Sequence, residues 1–171
     1  TADSCKSFED ANSAVTPDAL MSTGYHYYNY CILAKMAEIL GDDAEKERNK
    51  AAAEIVKKAF LKKWYNEKTG VVATGSQGSQ AFALWLGILP EEERQKAADR
   101  LHDAVAGIGY RFKCGNLTAR YVLEMLSDYG YVDDAWKIMT REEYPSFGYM
   151  IQNGATTIWE RFELKNDSGM N

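Results

Sequence analysis

Histidine and cysteine are both scarce in this chain of 171 residues, which holds two histidines, His26 and His102, and three cysteines, Cys5, Cys31 and Cys114. Two imidazoles are too few for a multi-histidine metal cluster. The cysteines are odd in number, widely spaced and without a CxxC pair, which argues against a zinc site or a disulfide framework. We therefore expect no metal and no cofactor, and reduced, mostly buried thiols. Positive charge is not in excess: 20 Lys and Arg stand against 25 Asp and Glu, a formal net charge of -5. Such a chain lacks the field that draws in nucleic acid or an anionic membrane, and neither is expected as a partner. No apolar run reaches the length of about 18 residues that a membrane helix needs. The first residues show neither the basic nor the apolar region of a signal peptide, and the start at Thr1 reads as excision from something longer. The remaining composition, 46% hydrophobic and 26% charged, is that of an ordinary folded domain.

Hydrophobic patterning carries more. From Ser22 to Leu40, STGYHYYNYCILAKMAEIL is apolar or aromatic on nearly every face and too long for a typical strand, so it reads as a buried helix. Gly41 supplies a stop and Asp42 or Asp43 a fresh cap. Glu45 to Tyr65 then sets charge on one side against Ala53, Val56, Phe60 and Trp64 on the other. The pair of textures recurs. Gln80 to Leu86 is apolar all round, and after Pro90 and Glu91 to Glu93 a helix opens with one stripe of Ala97, Ala98, Leu101 and Val105. Leu117 to Leu126 is mostly apolar and is followed by a third amphipathic piece in which Val132, Ala135 and Met139 share a face. Small or glycine-rich segments precede each apolar helix: Ser22-Thr23-Gly24, Gly75 to Gly78, Gly115-Asn116 and Gly154 to Thr157. A helix apolar on all sides must be covered on all sides, whereas an amphipathic one needs cover on one. The alternation therefore specifies an all-α fold of helical hairpins in two concentric layers, a toroid, with a short open α-solenoid as the competing arrangement. Thr69 to Ala73 is the only β-like run and reads as a turn or small hairpin. Residues 1–20 read as a lead-in loop on a single domain spanning 1–171.

Several residues are candidates for chemistry. Gly75 to Gln80 resembles a phosphate loop but lacks the Gly-Lys-Ser/Thr ending, so a flexible connector is the plainer reading; the starts of the inner helices would cluster at one mouth, into which Gln77 would point. Tyr25, His26, Tyr27, Tyr28 and Tyr30 gather rings that could line a sugar cleft or equally pack a core. His102 sits beside an apolar stripe and reads as structural. Lys57-Lys58 and Lys62-Lys63 share their helix with glutamates and form a solvated face. The Tyr144 to Glu163 stretch is the most informative: Tyr144 to Tyr149 breaks helix, and a new inner helix should start near Thr156-Thr157. Thr157-x-x-Glu160 has the form of a capping box, in which Glu160 reaches back to a backbone N–H. The same carboxylate in the first turn of an inner helix would be kept ionised by the helix N-terminus, which suits a general base.

The segment PSFGYMIQNGATTIWERFE resembles the end of the catalytic barrel of bacterial α-L-rhamnosidases, which reads Pro-Ser-aromatic-Gly-Tyr-Met and then Gly-Ala-Thr-Thr-aliphatic-Trp-Glu-Arg-aromatic. Upstream, Ser22-Thr23-Gly24-Tyr25 with Tyr27-Tyr28, Gly75-Ser76-Gln77, Leu89-Pro90-Glu91-Glu92, and Leu117 to Leu126 with Ser127-Asp128-x-Gly130 fall in the same order. The resemblance implies an (α/α)6 barrel and an inverting glycosidase that releases terminal L-rhamnose from rhamnose-containing glycosides. It gives Glu160 the place of the general base and sets Trp159 beside it in the sugar pocket, with Tyr149, Gln77 and Tyr27 as further substrate-binding candidates. The family's general acid comes from an Asp/Trp/Gly-rich segment in the first half of the barrel, and no such segment is found here. The chain also stops at Gly169-Met170-Asn171, where the family runs on through a Ser/Asn/His loop. It therefore reads as the second half of a barrel, about three hairpins and the start of another helix. Another (α/α)6 glycosidase or a non-catalytic helical binding module are the competing functions. Half a toroid should leave apolar helices such as Tyr25 to Leu40 and Gln80 to Leu86 exposed along the cut, so two copies are expected to pair as a homodimer that closes a pseudo-barrel.

Overall fold

The structure, a computed structural model, describes residues 16–159 and 162. Its first element, α1 (Asp18–Leu40), follows Pro17 and carries Asp18 in the first turn, where an acid complements the helix dipole. The helix begins inside the span expected to be a lead-in loop. Gly41, at φ 74°, ends it: the Gly41 N–H donates to Glu38 and the Asp42 N–H to Ala37, the paired closure that only a left-handed residue permits without strain. Asp42 then caps α2 (Asp43–Trp64) by accepting from the Glu45 N–H at 3.0 Å. A two-residue antiparallel pair follows, β1 (Tyr65–Asn66) with β2 (Val71–Val72), in the register Tyr65 opposite Val72. This is the small hairpin expected around Thr69 to Ala73.

Ser76 opens α3 (Gln77–Trp85) by accepting from the Ser79 N–H. Every residue from Gln77 to Leu84 is buried, as an all-round apolar helix requires. The amphipathic α4 (Glu91–Ala106) buries the stripe Ala97, Ala98, Leu101 and Val105 expected from its periodicity. Next come α5 (Asn116–Asp128), α6 (Val132–Met139) and a short α7 (Phe147–Gln152) capped by Ser146. The helices pair as α1/α2, α3/α4 and α5/α6, and α3 packs between α1 and α5. Three hairpins thus lay down an inner row of α1, α3 and α5, backed by α2, α4 and α6.

Four expectations change. Ser22-Thr23-Gly24 is no loop: it lies within α1, where the Ser22 and Thr23 hydroxyls donate to carbonyls one turn back. The C-terminal half of α1 is not buried as an all-round apolar helix should be; Ile32, Leu33, Met36, Ile39 and Leu40 are exposed, Leu40 by 80%, which is the exposure expected for Tyr25 to Leu40 along the cut. An inner helix at the end of a row has a neighbour on one side only. Gln80 to Leu86, by contrast, is not on a cut edge, because α3 is the middle helix and is closed over by α1, α4 and α5. In α6 the buried face is Asp134, Ala135 and Ile138, while Val132 and Met139 are exposed. The Asp134 carboxylate is held there by His102 Nδ1 at 2.5 Å and Lys137 Nζ at 3.2 Å, and the His102 ring stacks on Tyr131. A paired and hydrogen-bonded acid can be buried, which apolar periodicity alone does not foresee.

Gly24 shows how closely α1 approaches α3. A Cβ at this position would lie 2.3 Å from Phe82 Cε1 and 2.7 Å from Leu86 Cδ1, inside van der Waals contact. Both atoms belong to packed core side chains. Gly24→Ala is expected to destabilise the chain by about 1–3 kcal/mol through overpacking, although alanine favours helix, and urea unfolding of the two forms measures this.

Candidate active site

The N-terminal ends of the inner helices lie together. Thr16, just before α1, shares a 2.8 Å hydroxyl hydrogen bond with Ser76, the cap of α3. Ser76 in turn meets Ser79 at 2.8 Å. The first residue of α3, Gln77, reaches across to the loop between α4 and α5, and that loop's Phe112 packs on Phe147 at the start of α7 with ring centroids 5.1 Å apart. The chain beyond α7 comes back to this end as well. Phe162 stacks on Phe112 at 5.4 Å and tilts against Phe147 at 5.9 Å.

A cavity of about 260 Å³ opens beside these rings. Its walls are Ala119, Arg120 and Leu123 of α5, Met139, Phe147 and Met150, and the returning residues Ile158, Trp159 and Phe162. It is a largely apolar cleft that includes the Trp159 indole, and an aromatic face of this kind can pack against the C–H face of a sugar ring. Arg120 lies over the Tyr121 ring at 5.0 Å and over Trp85 at 5.9 Å, and sits 3.8 Å from Glu124.

The residues singled out from the sequence separate into groups. Trp159 is half-buried in this cleft. Glu160 lies outside the described residues, between Trp159 and Phe162, which are both placed. Tyr149 is on α7, one residue before the cleft-lining Met150; its N–H donates to Ser146 and its ring meets Tyr144 edge-on at 5.2 Å. Two expectations about the surrounding backbone are corrected. The Tyr144 to Tyr149 stretch is not wholly a helix break, because Ser146 starts α7 at Phe147. Thr156 to Trp159 are not helical, so no inner helix begins there.

Gln77 and Tyr27 go elsewhere. Gln77 is buried, and its amide donates to the carbonyls of Arg111 (2.9 Å) and Ala104 (3.4 Å) while accepting from the Lys113 N–H (2.9 Å). It does not point into an opening, because an amide buried at a helix start is stable only when its polar atoms are engaged. Tyr27 faces α2 and lines a separate cavity of about 380 Å³ with Cys31, Lys35, Glu38 and Glu54. Burial and the Cys31 contact push its phenol well above the usual range, so it stays protonated. The five-ring run it belongs to is divided by helical geometry: Tyr25 bonds the Tyr121 hydroxyl at 3.1 Å, Tyr28 packs on Trp85, and His26 meets Tyr30 along α1 itself. Sequence reasoning missed Arg120, Phe112 and Phe147. Phe147 and Arg120 fall inside the stretches that carry the resemblance, but nothing in those stretches marks either as lining a cleft; that becomes readable once the starts of α5 and α7 are known to converge. Among the described residues no group of three or more His, Cys, Asp or Glu side chains is arranged to hold a metal ion, and no helix is long and apolar enough to cross a membrane.

Hairpins in two rows, with the inner helix starts gathered at one end around an aromatic cleft, define a part of an (α/α) toroid. Comparison with known proteins specifies which one. The profile of the bacterial alpha-L-rhamnosidase 6 hairpin glycosidase domain matches residues 2–171, and the chain belongs to this family. An alpha-L-rhamnosidase of Formosa agariphila is 31% identical over 151 residues, covering 88% of this chain and 16% of its own length. One of Streptomyces avermitilis is 30% identical over 155 residues, covering 90% and 15%. Among solved structures, the Streptomyces avermitilis alpha-L-rhamnosidase complexed with L-rhamnose superposes with a TM-score of 0.83 at 28% identity, over 92% of this chain and 15% of that one. The alpha-L-rhamnosidase from Dictyoglumus thermophilum gives 0.79 at 36% identity, over 87% and 17%. The chain thus spans about one sixth of the length of the relatives it matches.

Proposed function

We propose that the enzyme containing this chain hydrolyses terminal α-L-rhamnosides with inversion, and that this chain supplies the base side of the reaction. The family match over residues 2–171, together with a superposition at TM-score 0.83 on a relative complexed with L-rhamnose, carries the reading. Glu160 is the general base. Its carboxylate takes a proton from a water that attacks the anomeric carbon, while a second carboxyl group, roughly 6.5–9.5 Å away in inverting enzymes, protonates the departing oxygen. That acid is assigned to no residue of this chain. Trp159 packs against the apolar face of the sugar, Arg120 borders the pocket, and Tyr149 stands on the neighbouring helix. Gln77 and Tyr27, whose polar atoms are engaged within the fold, are left out of the substrate contacts.

The test is a panel of nitrophenyl glycosides offered to the full enzyme. The α-L-rhamnoside should be cleaved with the highest kcat/KM, and the first-formed sugar should be the β-anomer by NMR. Preference for another sugar would leave an (α/α)6 glycosidase of different specificity, and retention of the α-configuration would remove the role given to Glu160.

A further inference from the structure

L-rhamnose is 6-deoxy-L-mannose: it carries hydroxyls on C2, C3 and C4, and a methyl group on C5 where mannose carries a hydroxymethyl. A hydroxyl taken out of water needs a hydrogen-bond partner, whereas a methyl needs only apolar surface. Which edge of the sugar enters a hollow is therefore set by the polar groups the hollow offers. The cleft beside Trp159 offers few. Among its walls only Arg120 and Trp159 bear polar side-chain atoms, and the Arg120 guanidinium lies over Tyr121 and Trp85, neither of which lines the cleft. Ala119, Arg120 and Leu123 come from within α5, so their backbone groups are engaged in the helix. Leu123 and Met150 line the cleft together with the Phe147 and Phe162 rings, and Met150 is only 3% exposed.

From this we propose that the cleft receives the C6 methyl of the rhamnosyl unit, and that Leu123 and Met150 are specificity-determining residues that admit a methyl and reject a hydroxymethyl. With the C–H face of the sugar on the Trp159 indole, turning the C5 edge into the hollow leaves the C2 and C3 hydroxyls at the opposite edge, away from the apolar walls. The reverse orientation would bury those hydroxyls against Leu123, Met150 and phenyl rings that accept and donate nothing. An L-mannosyl unit is rejected because its C6 hydroxyl would lose its water and gain no partner. A pentosyl unit of the same ring configuration, L-lyxose, is disfavoured for a different reason: it leaves the hollow unfilled. The inference rests on the reading of the enzyme as an α-L-rhamnosidase whose sugar site is this cleft.

The experiment compares kcat/KM in the full enzyme for three nitrophenyl glycosides that differ only at C5: the α-L-rhamnoside, the α-L-mannoside and the α-L-lyxoside. The rhamnoside should exceed the mannoside by about 10²-fold, the discrimination an apolar pocket achieves against an added hydroxyl, and the lyxoside by about 10-fold or more. Leu123→Asn sets an amide in the wall and should move the mannoside-to-rhamnoside ratio up by about 10-fold. Ile158→Asn, in the same wall and 69% exposed, should move it in the same direction by less, and it carries the test if Leu123→Asn does not fold. Ile151→Asn is the control: Ile151 is 71% exposed on α7 and does not line the cleft, so the ratio should stay at the parent value. A parent enzyme that cleaves rhamnoside and mannoside equally well overturns the methyl site and leaves the rhamnosidase standing. So does a ratio that the folded cleft variants leave unchanged, or that Ile151→Asn shifts as much as they do. A parent enzyme that cleaves none of the three while hydrolysing another glycoside overturns the rhamnosidase reading, and the methyl site with it.

Discussion

Replacing Glu160 by glutamine is expected to lower kcat on nitrophenyl α-L-rhamnoside by about 10²–10⁴, the usual contribution of a general base, with KM changed only a few-fold. Glutamine has the same shape and cannot accept the proton, so packing around Trp159 and Phe162 is retained while the chemistry is removed. Nitrophenolate is a good leaving group that needs little protonation, so the measured rate reports the base rather than the acid. The opposite role has an opposite signature. If the carboxylate served only to cap a helix in the Thr157-x-x-Glu160 pattern, alanine at this position would cost about 1 kcal/mol of stability and leave the rate alone. The described backbone favours the catalytic outcome, because Thr156 to Trp159 form no helix for Glu160 to cap from that side.

Which features could be read from the residues follows from how local their causes are. Helix stripes are local: the spacing of Ala97, Ala98, Leu101 and Val105 fixes a face, and that face is buried. The unbroken apolar run of α3 marked a helix that needs cover on all sides, but not its place in the row: it was expected along the cut, and the structure sets it between α1 and α5. Helix starts were less legible. Ser22-Thr23-Gly24 has the composition of a loop, and only the close approach of Phe82 explains a glycine within the helix. Asp134 in the buried face of α6 needs His102, 32 residues earlier, before its burial makes sense. The site divides along the same line. The segment around Trp159 was recognisable from consecutive residues, whereas Gln77 was assigned to an opening, and its amide is instead engaged by the backbone of Arg111 and Lys113. An amide's partners are set by tertiary structure, and one chain read by itself does not reveal them.

Gln80 shows the same limit with the largest expected effect on stability. It is fully buried on α3 among apolar neighbours, in a run that reads as QAFALWL, and nothing in that run sets it apart as more than a polar residue at a helix start. Its side chain joins three elements. The amide oxygen accepts from the Val72 N–H of β2, and the amide nitrogen donates to Gly70 in the hairpin turn at 3.0 Å and to Ala97 of α4 at 2.9 Å. Gln80→Ala leaves the Val72 N–H without its acceptor and the Gly70 carbonyl without its donor in a site closed to water, each such group costing about 1–3 kcal/mol, while the Ala97 carbonyl keeps its helical bond from the Leu101 N–H. Gln80→Met fills nearly the same volume and leaves the same two groups orphaned. Both variants should therefore be destabilised by roughly 3–5 kcal/mol, an amount that would unfold many domains of this size, with the alanine variant losing more through its cavity. Urea unfolding of the three proteins measures the difference. If Gln80→Met matched the parent, volume would be what the site requires. If both variants fell together, the hydrogen bonds that tie the β-hairpin and α4 to the start of the buried helix would be what holds the second hairpin to the inner row.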